Sequence, residues 1–422
     1  MPFRFANPMS KNSVSNTLLL LSLSLLDTGG APPILIHDAS GCLRETEAPV
    51  KVVADLSPAF AAANQEHQLA VSPVGNRESQ VLIPAQVQSN AAGRAEAVIF
   101  LMPPGPARSP LDFKLVRASG SQAVELQVIE NRDGQYDLME NRTPVLRYNY
   151  RTVEPGEIAK KVSAENRIYA RARSDYIHPL FGLNGEELTR DWSLDHPHHR
   201  GIYWAWPEVD YGVERGDLHA LQKVFARPTG KVRFEGGPVF AQIEAESEWM
   251  WEDREPVVRE LATIRAYRAT ANGRFIDLAF RFVALKPGVT VARRDTDKYG
   301  GLNIRTATPQ GQEITAFTDV PGARPRRAWA DLSGIFAKGE IVSGLAVLQC
   351  NKNPDYPGDW VQYPELSWCQ PTFPTSGTRY ALLPGEPLVL RYRLWIHAGG
   401  KPSADRLALS WEAFNASEAA RP

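Results

Sequence analysis

Long stretches of this chain alternate apolar and polar residues, a pattern that predicts β-strands with one buried face. The alternation is clearest from Arg274 to Leu285 and again from Val389 to His397, after a turn at Pro384 to Pro387. The same pattern predicts further strands at Val239 to Trp249, Val258 to Tyr267, Leu302 to Thr306 and Gly344 to Cys350. Many closely spaced strands separated by Gly and Pro turns favour an antiparallel sandwich.

The strand at Val389 to His397 has an unusual second face. Its apolar residues alternate with Arg391, Arg393, Trp395 and His397. Because a solvent-exposed polar face would hardly need a tryptophan, we expect this second face to line a cleft.

The chain divides into two β-rich units. From Val50 to about Arg147, short β-favouring runs alternate with turns such as Pro103 to Pro106. We therefore predict a signal segment at 1–31, a small N-terminal β domain at 45–147, a large sandwich at 148–400 and a tail or short helix at 401–422. The predicted fold class is all-β: a large antiparallel β-sandwich, with a supersandwich as its larger variant, preceded by the small β domain.

Charge and hydropathy exclude several classes of partner. Lys and Arg total 47 against 48 Asp and Glu, so the net charge of −1 gives no overall attraction to nucleic acid. Leu18 to Leu26 is apolar, follows basic residues and precedes small ones, which is the layout of a secretory signal. A membrane anchor is the competing interpretation, but the run is shorter than the roughly 20 residues that a spanning helix needs. We expect a secreted or periplasmic protein without integral membrane association.

Histidines are concentrated in one part of the chain. His178, His196, His198 and His199 lie close together in sequence, and Pro197 excludes a regular helix there. In an extended backbone His196 and His198 share one side, and His178 completes a trio. We predict that these four histidines form an acid/base or ligand centre. A divalent metal is an open alternative, although no HExxH-type spacing supports it. The alternative to a functional site is a structural role, in which these histidines hydrogen-bond neighbouring loops.

Other residues are predicted to complete the site. Glu246 is a candidate carboxylate acid or base, and Arg305 is a candidate group for orienting substrate. We predict further substrate-binding residues among polar and aromatic side chains near these segments: Arg200, Trp204, Trp206, Tyr299, Asn303 and Trp360.

Several motifs in this order resemble a known family. They are His178 to Leu180, Asp195 to Gly201 followed by Trp204 to Trp206, Lys298 to Leu302, and Tyr392 to His397. Over roughly Val50 to Gly399 the chain resembles the PmoA-like family of bacterial proteins of uncharacterised function. The resemblance implies an exported β-sandwich protein of carbohydrate-degrading bacteria, similar at fold level to galactose mutarotases. The family label refers to a multi-helix membrane subunit of methane monooxygenase, and this sequence lacks such helices.

Three functions are compatible with these patterns. The first is a carbohydrate-active enzyme, a hydrolase, lyase or epimerase, that uses the histidines for proton transfer on a carbohydrate or glycoside. The second is a non-catalytic glycan-binding protein that uses Trp204, Trp206 and Trp360 as stacking surfaces. The third is a metal-dependent oxidase or oxygenase, which predicts stoichiometric copper or iron.

Overall fold

The computed structural model describes residues 33–36, 38, 40–53, 68–73, 82–90, 94–105, 111–118, 125–316 and 328–419. The predicted signal segment lies outside these residues. Among the described helices, none combines the length and the apolar composition that a membrane crossing requires.

The described residues form twenty-six β-strands and three α-helices, joined by turns and loops. The strands of the first half are β1 (Pro33–Ile36), β2 (Pro49–Val53), β3 (Gln68–Pro73), β4 (Ile83–Ser89), β5 (Ala95–Leu101), β6 (Leu111–Ala118), β7 (Leu126–Glu130), β8 (Tyr136–Glu140), β9 (Thr143–Asn149), β10 (Tyr176–Leu180), β11 (Ile202–Ala205), β12 (Glu208–Tyr211) and β13 (Glu214–Gly216). Those of the second half are β14 (Val224–Glu235), β15 (Phe240–Trp251), β16 (Glu255–Tyr267), β17 (Arg274–Ala284), β18 (Val289–Ala292), β19 (Gly301–Arg305), β20 (Gln310–Ala316), β21 (Trp329–Ile335), β22 (Ser343–Gln349), β23 (Trp360–Tyr363), β24 (Trp368–Pro371), β25 (Tyr380–Leu382) and β26 (Leu388–Ala398). The helices are α1 (Cys42–Glu45), α2 (Ile158–Lys161) and α3 (Ala404–Ala419).

The strands form four sheets. Sheet 1, at the N-terminal end, has the order β1-β6-β3-β4-β5-β2. Sheet 2 has the order β23-β24-β19-β11-β10-β9-β8-β7, sheet 3 the order β13-β12-β18-β25, and sheet 4 the order β14-β15-β16-β17-β26-β22-β21-β20. The pairing within the two eight-stranded sheets is antiparallel, and this confirms the predicted all-β class.

Sheets 2 and 4 pack face to face around the main hydrophobic core. Ile202 and Leu302 of sheet 2 lie in one buried cluster with Ile264, Leu278 and Leu390 of sheet 4. The apolar face predicted for the strand that begins at Arg274 belongs to this cluster. A large antiparallel sandwich is therefore the central architecture, and burial of apolar area between its two sheets is the main source of its stability.

The second face of β26 does not line a cleft, contrary to the sequence-based expectation. Trp395 packs with Phe275 and with Leu407 and Phe414 of α3, and this cluster also includes Ile99 of sheet 1. The outer face of sheet 4 is thus covered by α3 and sheet 1. The tryptophan on this face is explained by a second core layer.

The predicted boundary near residue 147 does not coincide with a division between sheets. Strands β7, β8 and β9 belong to sheet 2, where β9 pairs with β10. Leu138 and Leu146 of these strands lie in the main core, so the sandwich needs them for its packing. Sheet 1 ends at Ala118. The C-terminal segment, for which a tail or a short helix was predicted, contains the helix α3.

A pair of carboxyl groups is buried inside the sandwich. The Tyr148 hydroxyl donates a hydrogen bond to Asp175, and Trp249 Nε1 donates one to Glu260 Oε2 at 2.8 Å. Burial, followed by the nearby negative charge of Asp175, raises the pKa of Glu260 well above its ordinary value of 4.5. Burial likewise raises the pKa of Asp175. The folded state therefore favours a protonated carboxyl at this position.

We expect this pair to make stability fall as pH rises. A raised pKa in the folded state gives stability that is fully present below the unfolded pKa and is lost as pH rises through the folded pKa. Urea unfolding measured at increasing pH above the ordinary glutamate pKa of 4.5 should show a free energy of unfolding that falls as pH rises. Glu260→Gln should flatten that slope, whereas Glu246→Gln, a surface change on the adjacent strand, should leave it as in wild type. Equal slopes in wild type and Glu260→Gln would contradict the assignment.

Candidate functional site

The candidate site lies on the face of sheet 2 that points away from the main core. Leu302 and Ile304 of β19 face the core, so the alternating Asn303 and Arg305 lie on the opposite face. Tyr203 pairs with Asn303 in register, and Arg305 pairs with Trp368. Four polar or aromatic side chains from three neighbouring strands thus share one face.

The loop that precedes β11 places three histidines over this face. The His199 amide donates to the His196 carbonyl oxygen at 2.9 Å, so the segment turns instead of extending. At Gly201 the backbone has φ 73°, and a Cβ there would lie 2.3 Å from the carbonyl oxygen of Ile177, so only glycine fits. The Arg305 amide donates to the Gly201 carbonyl oxygen at 2.9 Å and fixes the end of the loop to β19.

A second turn, between β13 and β14, brings in a fourth histidine. The Ala220 amide donates to Asp217 Oδ1 at 2.7 Å, and this bond closes the turn around His219. Arg173 Nη2 donates to the carbonyl oxygens of Leu218 and His219 at 3.0 and 2.5 Å. The position of His219 is therefore set by contacts distant in sequence.

The four histidines form one group, which we call the histidine cluster: His196, His198, His199 and His219. The ring of His198 lies edge-on to His199 and His219, with centroids 4.7 and 4.6 Å away. His196 stacks on His199 at 4.8 Å. In the three inner histidines, His198, His199 and His219, one nitrogen of each ring lies within 4.8 Å of the corresponding atom in the other two.

Several ring nitrogens of the cluster are buried without a hydrogen-bond partner. They are Nδ1 of His198 and both ring nitrogens of His199. Burial, followed by the positive charge of Arg173, lowers the pKa of His198 to about 3. Burial and the neighbouring imidazoles also lower the pKa values of His199 and His219 well below the ordinary value. At neutral pH these three rings are neutral and carry lone pairs.

A cleft of about 490 Å³ opens over the cluster, and we call it the histidine cleft. Its lining is mainly polar: Asn166, Tyr169, Asp195, His196, His198, Asp217, His219, Ala220, Gln222, Arg294 and Tyr299. The charges in the lining are compensated, since Arg294 Nη2 lies 2.6 Å from Asp217 Oδ2. The cleft therefore offers many hydrogen-bonding groups and little net charge.

A carboxylate and an imidazole form a dyad at the cleft wall. His196 Nδ1 lies 3.0 Å from Asp195 Oδ2, and Arg305 Nη2 lies 4.0 Å from the same oxygen. Because an ionised carboxylate can only accept, Nδ1 of His196 is the donor in this contact. In the neutral form of the ring, Nε2 then carries the lone pair. Burial alone would raise the pKa of Asp195, but the hydrogen bond from His196 holds it below the ordinary value. In the same lining, Arg294 Nε donates to the Tyr299 hydroxyl at 3.3 Å.

The three tryptophans predicted as stacking surfaces are core residues. Trp204 and Trp206 stack on each other with centroids 4.7 Å apart, and Trp204 meets Phe280 edge-on across the sandwich. Trp360 belongs to the same buried cluster. With at most 4% of their surface exposed, these side chains have no free face for a sugar.

Arg200 and Glu246 also lie outside the cleft, contrary to their predicted roles. The buried Arg200 guanidinium stacks on Trp192 at 3.5 Å and pairs with Asp191, so it closes the loop rather than meeting substrate. Glu246 pairs with Lys231 at 3.0 Å on the outer face of sheet 4.

His178, Asn303 and Arg305 share the face of the site but do not line the cleft. His178 Nδ1 lies 3.0 Å from Thr189 Oγ1, so His219 and not His178 completes the cluster. Asn303 is buried and donates to the Gly201 carbonyl oxygen at 3.4 Å. Arg305, 2% exposed, donates to the Leu366 carbonyl oxygen and lies behind Asp195. Of the predicted residues, His196, His198 and Tyr299 line the cleft, and His199 lies beneath them.

Several residues of the site were assigned no role from the sequence: Arg173, Tyr203, Asp217, His219, Arg294 and Trp368. A usable signal existed for Tyr203. Alternation along β11 places Ile202 and Trp204 on one face and Tyr203 on the other, so the tryptophan was predicted for the wrong side of the strand.

Comparison with known proteins places the chain in a family without assigning an activity. The model of a family described as "Family of unknown function (DUF6807)" matches residues 87–412. This supports an uncharacterised family, and the PmoA-like label is not part of the finding. A search of curated proteins found no sequence match.

Similarity to solved structures covers part of the chain, and one of the matching structures illustrates it. It is described as "Putative kojibiose phosphorylase from human microbiome", with 8% sequence identity and a TM-score of 0.26. The similarity covers 52% of this chain and 27% of that chain. At this level of similarity no conclusion about activity follows.

Proposed function

We propose that this chain, which belongs to the family of unknown function DUF6807, is a carbohydrate-active enzyme that transfers a proton on a sugar in the histidine cleft. The observation that carries the proposal is the Asp195–His196 dyad in the wall of a polar cleft beside neutral buried imidazoles. Export of the protein remains a further proposal that rests on the apolar stretch from Leu18 to Leu26.

The cleft favours a neutral or weakly charged ligand rich in hydroxyl groups. Amide, hydroxyl, imidazole and carboxylate groups alternate in its lining, so donors and acceptors are both at hand. Its volume of about 490 Å³ suits one or two sugar rings. Tyr169 and Tyr299 are the aromatic rings of the lining against which a ring face can pack.

Proton abstraction at carbon fits the side chains better than hydrolysis by two carboxylates. Glycoside hydrolysis commonly uses a pair of carboxyl groups, one acting as acid. Here Asp195 is engaged by His196, and Asp217 by Arg294 and the Ala220 amide. Both carboxylates of the lining are therefore engaged, and we assign the role of base to the imidazole of His196 because Asp195 orients it, which favours an epimerase or lyase reaction.

The proposed step needs a carbon whose proton is made acidic by a neighbouring carbonyl group. His196 Nε2 takes that proton, and the electron pair left behind forms an enolate. Asp195 holds the imidazole in the required tautomer and stabilises the imidazolium that forms. The Tyr299 hydroxyl, which accepts a hydrogen bond from Arg294, donates toward the enolate oxygen or returns a proton to the carbon.

Glycan binding without catalysis has less support. Its predicted stacking residues Trp204, Trp206 and Trp360 lie in the core. A simple binding site would also have no need for buried imidazole nitrogens without partners, which cost free energy.

Histidine NMR during titration with carbohydrates tests the place and the class of the ligand. The titration uses a panel of neutral sugars, ketoses and uronates, with imidazole signals assigned by single substitutions. We expect a ligand from the panel to shift the signals of His196, His198 and His219, while those of His178 and His397 stay unchanged. Shifts confined to His178 or His397, or none with any carbohydrate, would contradict the proposal.

A further inference from the structure

The three inner histidines have the arrangement of an open metal-binding site. We propose that His198, His199 and His219 bind one divalent transition metal ion at the floor of the histidine cleft. The inference rests on these imidazoles and does not depend on the proposed carbohydrate reaction.

The ring nitrogens of the three inner histidines lie close together. One nitrogen from each ring lies within 4.8 Å of the other two. Nitrogen ligands about 2.0–2.1 Å from a tetrahedral metal lie about 3.3 Å apart, so the rings must close by rotation about their side-chain bonds. His198 lines the cleft and is only partly buried, which leaves room for its ring to rotate.

Buried ring nitrogens of His198 and His199 lack hydrogen-bond partners. Both nitrogens of His199, which has no exposed surface, and Nδ1 of His198 have no hydrogen-bond partner. An unsatisfied buried polar group costs about 1–3 kcal/mol, and such groups in folded proteins usually have a functional reason. A metal ion that accepts one lone pair from each of the three rings satisfies one of the two nitrogens of His199 and removes that part of the cost.

Neighbouring aromatic residues hold two of the three rings in place. His219 Nδ1 lies 3.0 Å from the Tyr203 hydroxyl, which leaves Nε2 of that ring for a metal. A hydrogen bond at the distal nitrogen commonly fixes the tautomer of metal-ligating histidines. Trp368 packs edge-on against His199 at 4.8 Å and restricts that ring.

The donor set indicates the class of metal and its role. Three imidazoles without a thiolate suit zinc and similar ions of borderline softness. Because His198 and His219 line the cleft, the fourth coordination position faces the ligand space, as in catalytic rather than structural zinc sites. Three guanidinium groups lie near the site. Arg294 is paired with Asp217, Arg305 lies 4.0 Å from Asp195, and Arg173 donates to the carbonyl oxygens of Leu218 and His219.

The test is metal binding by tag-free protein that has first been stripped with a chelator. Zn²⁺ and Co²⁺ are titrated by calorimetry, and the visible spectrum of the Co²⁺ form reports nitrogen coordination. We expect one equivalent to bind with a tetrahedral-type spectrum. His198→Gln and His199→Gln should each weaken metal binding by at least about tenfold. Changing a residue that only supports a metal ligand already costs about tenfold or more in other proteins, so removing a ligand should cost at least as much.

Two matched variants separate this site from adventitious binding to histidine. His178→Gln removes a histidine outside the inner three, and His397→Gln removes one that is bound to Asp331 on sheet 4. Both should bind the metal as wild type does. If wild type binds no stoichiometric metal, or if all four variants bind equally, the inference is overturned. His198 is the least buried of the three, so His198→Gln keeps the test informative if His199→Gln fails to fold.

The readouts also distinguish this inference from the proposed function. Stoichiometric metal with no carbohydrate shifts in the NMR titration would keep the metal site and reject the carbohydrate ligand. Carbohydrate-induced shifts of the histidine signals in protein that binds no metal would support the carbohydrate ligand and reject the metal site.

Discussion

We expect His196→Gln to lower the rate of proton exchange on the substrate by about 10²–10⁴, the range that a positioned general base contributes. Glutamine keeps a similar length and polarity but cannot take a proton. His196 lines the cleft with Nδ1 bound to Asp195, so its loss removes the base without opening the core. The rate is measured as deuterium incorporation into the substrate by NMR in D₂O.

Two further variants test whether Asp195 acts through His196. Asp195→Asn should lower the rate less than His196→Gln, and the double variant should be no slower than His196→Gln alone, because residues that act as a unit are not additive. His178→Gln, outside the cleft, should keep the wild-type rate. A His196→Gln rate within threefold of wild type would reject His196 as the base.

We expect Trp206→Ala to destabilise the protein by about 3–5 kcal/mol, as is typical for removal of a large buried aromatic side chain. Trp206 is fully buried, stacks on Trp204 and contacts Phe282 edge-on at 5.2 Å. Its Nε1 also donates to the Phe373 carbonyl oxygen at 2.8 Å, and that oxygen would lose its partner. Chemical denaturation followed by fluorescence and circular dichroism gives the change in free energy of unfolding.

Val213→Ala is the control for this effect, because Val213 is fully exposed. It should change the stability by no more than about 0.5 kcal/mol. If Trp206→Ala cost less than about 1 kcal/mol and instead weakened carbohydrate binding, the tryptophan would be a stacking surface after all.

Local patterns were sufficient to predict the strands of the sandwich. Alternation from Arg274 to Leu285 predicted β17 to within one residue, and the apolar face of that strand is in the main core. Such patterns depend only on neighbouring residues and the period of a strand. They do not specify sheet membership, which is why the prediction grouped β7 to β9 with the N-terminal strands although they belong to sheet 2.

The site was predictable only where its residues are neighbours in sequence. The segment from Asp195 to His199 indicated a centre of titratable groups, and the structure brings its three imidazoles together. His219 joins them because Arg173 and Asp217 hold a distant turn in place, which no local pattern reveals. The tryptophans misled because aromatic content was taken as a sign of a cleft, although their alternation with Tyr203 placed them in the core.

Deuterium incorporation by the wild-type protein, measured by NMR over a panel of carbohydrates in D₂O, tests the central claim most directly. The account predicts that deuterium enters at a carbon next to a carbonyl group of a sugar, and that His196→Gln suppresses this exchange. Exchange that persists unchanged in His196→Gln, or no exchange with any sugar that the cleft binds, would contradict proton transfer at this site.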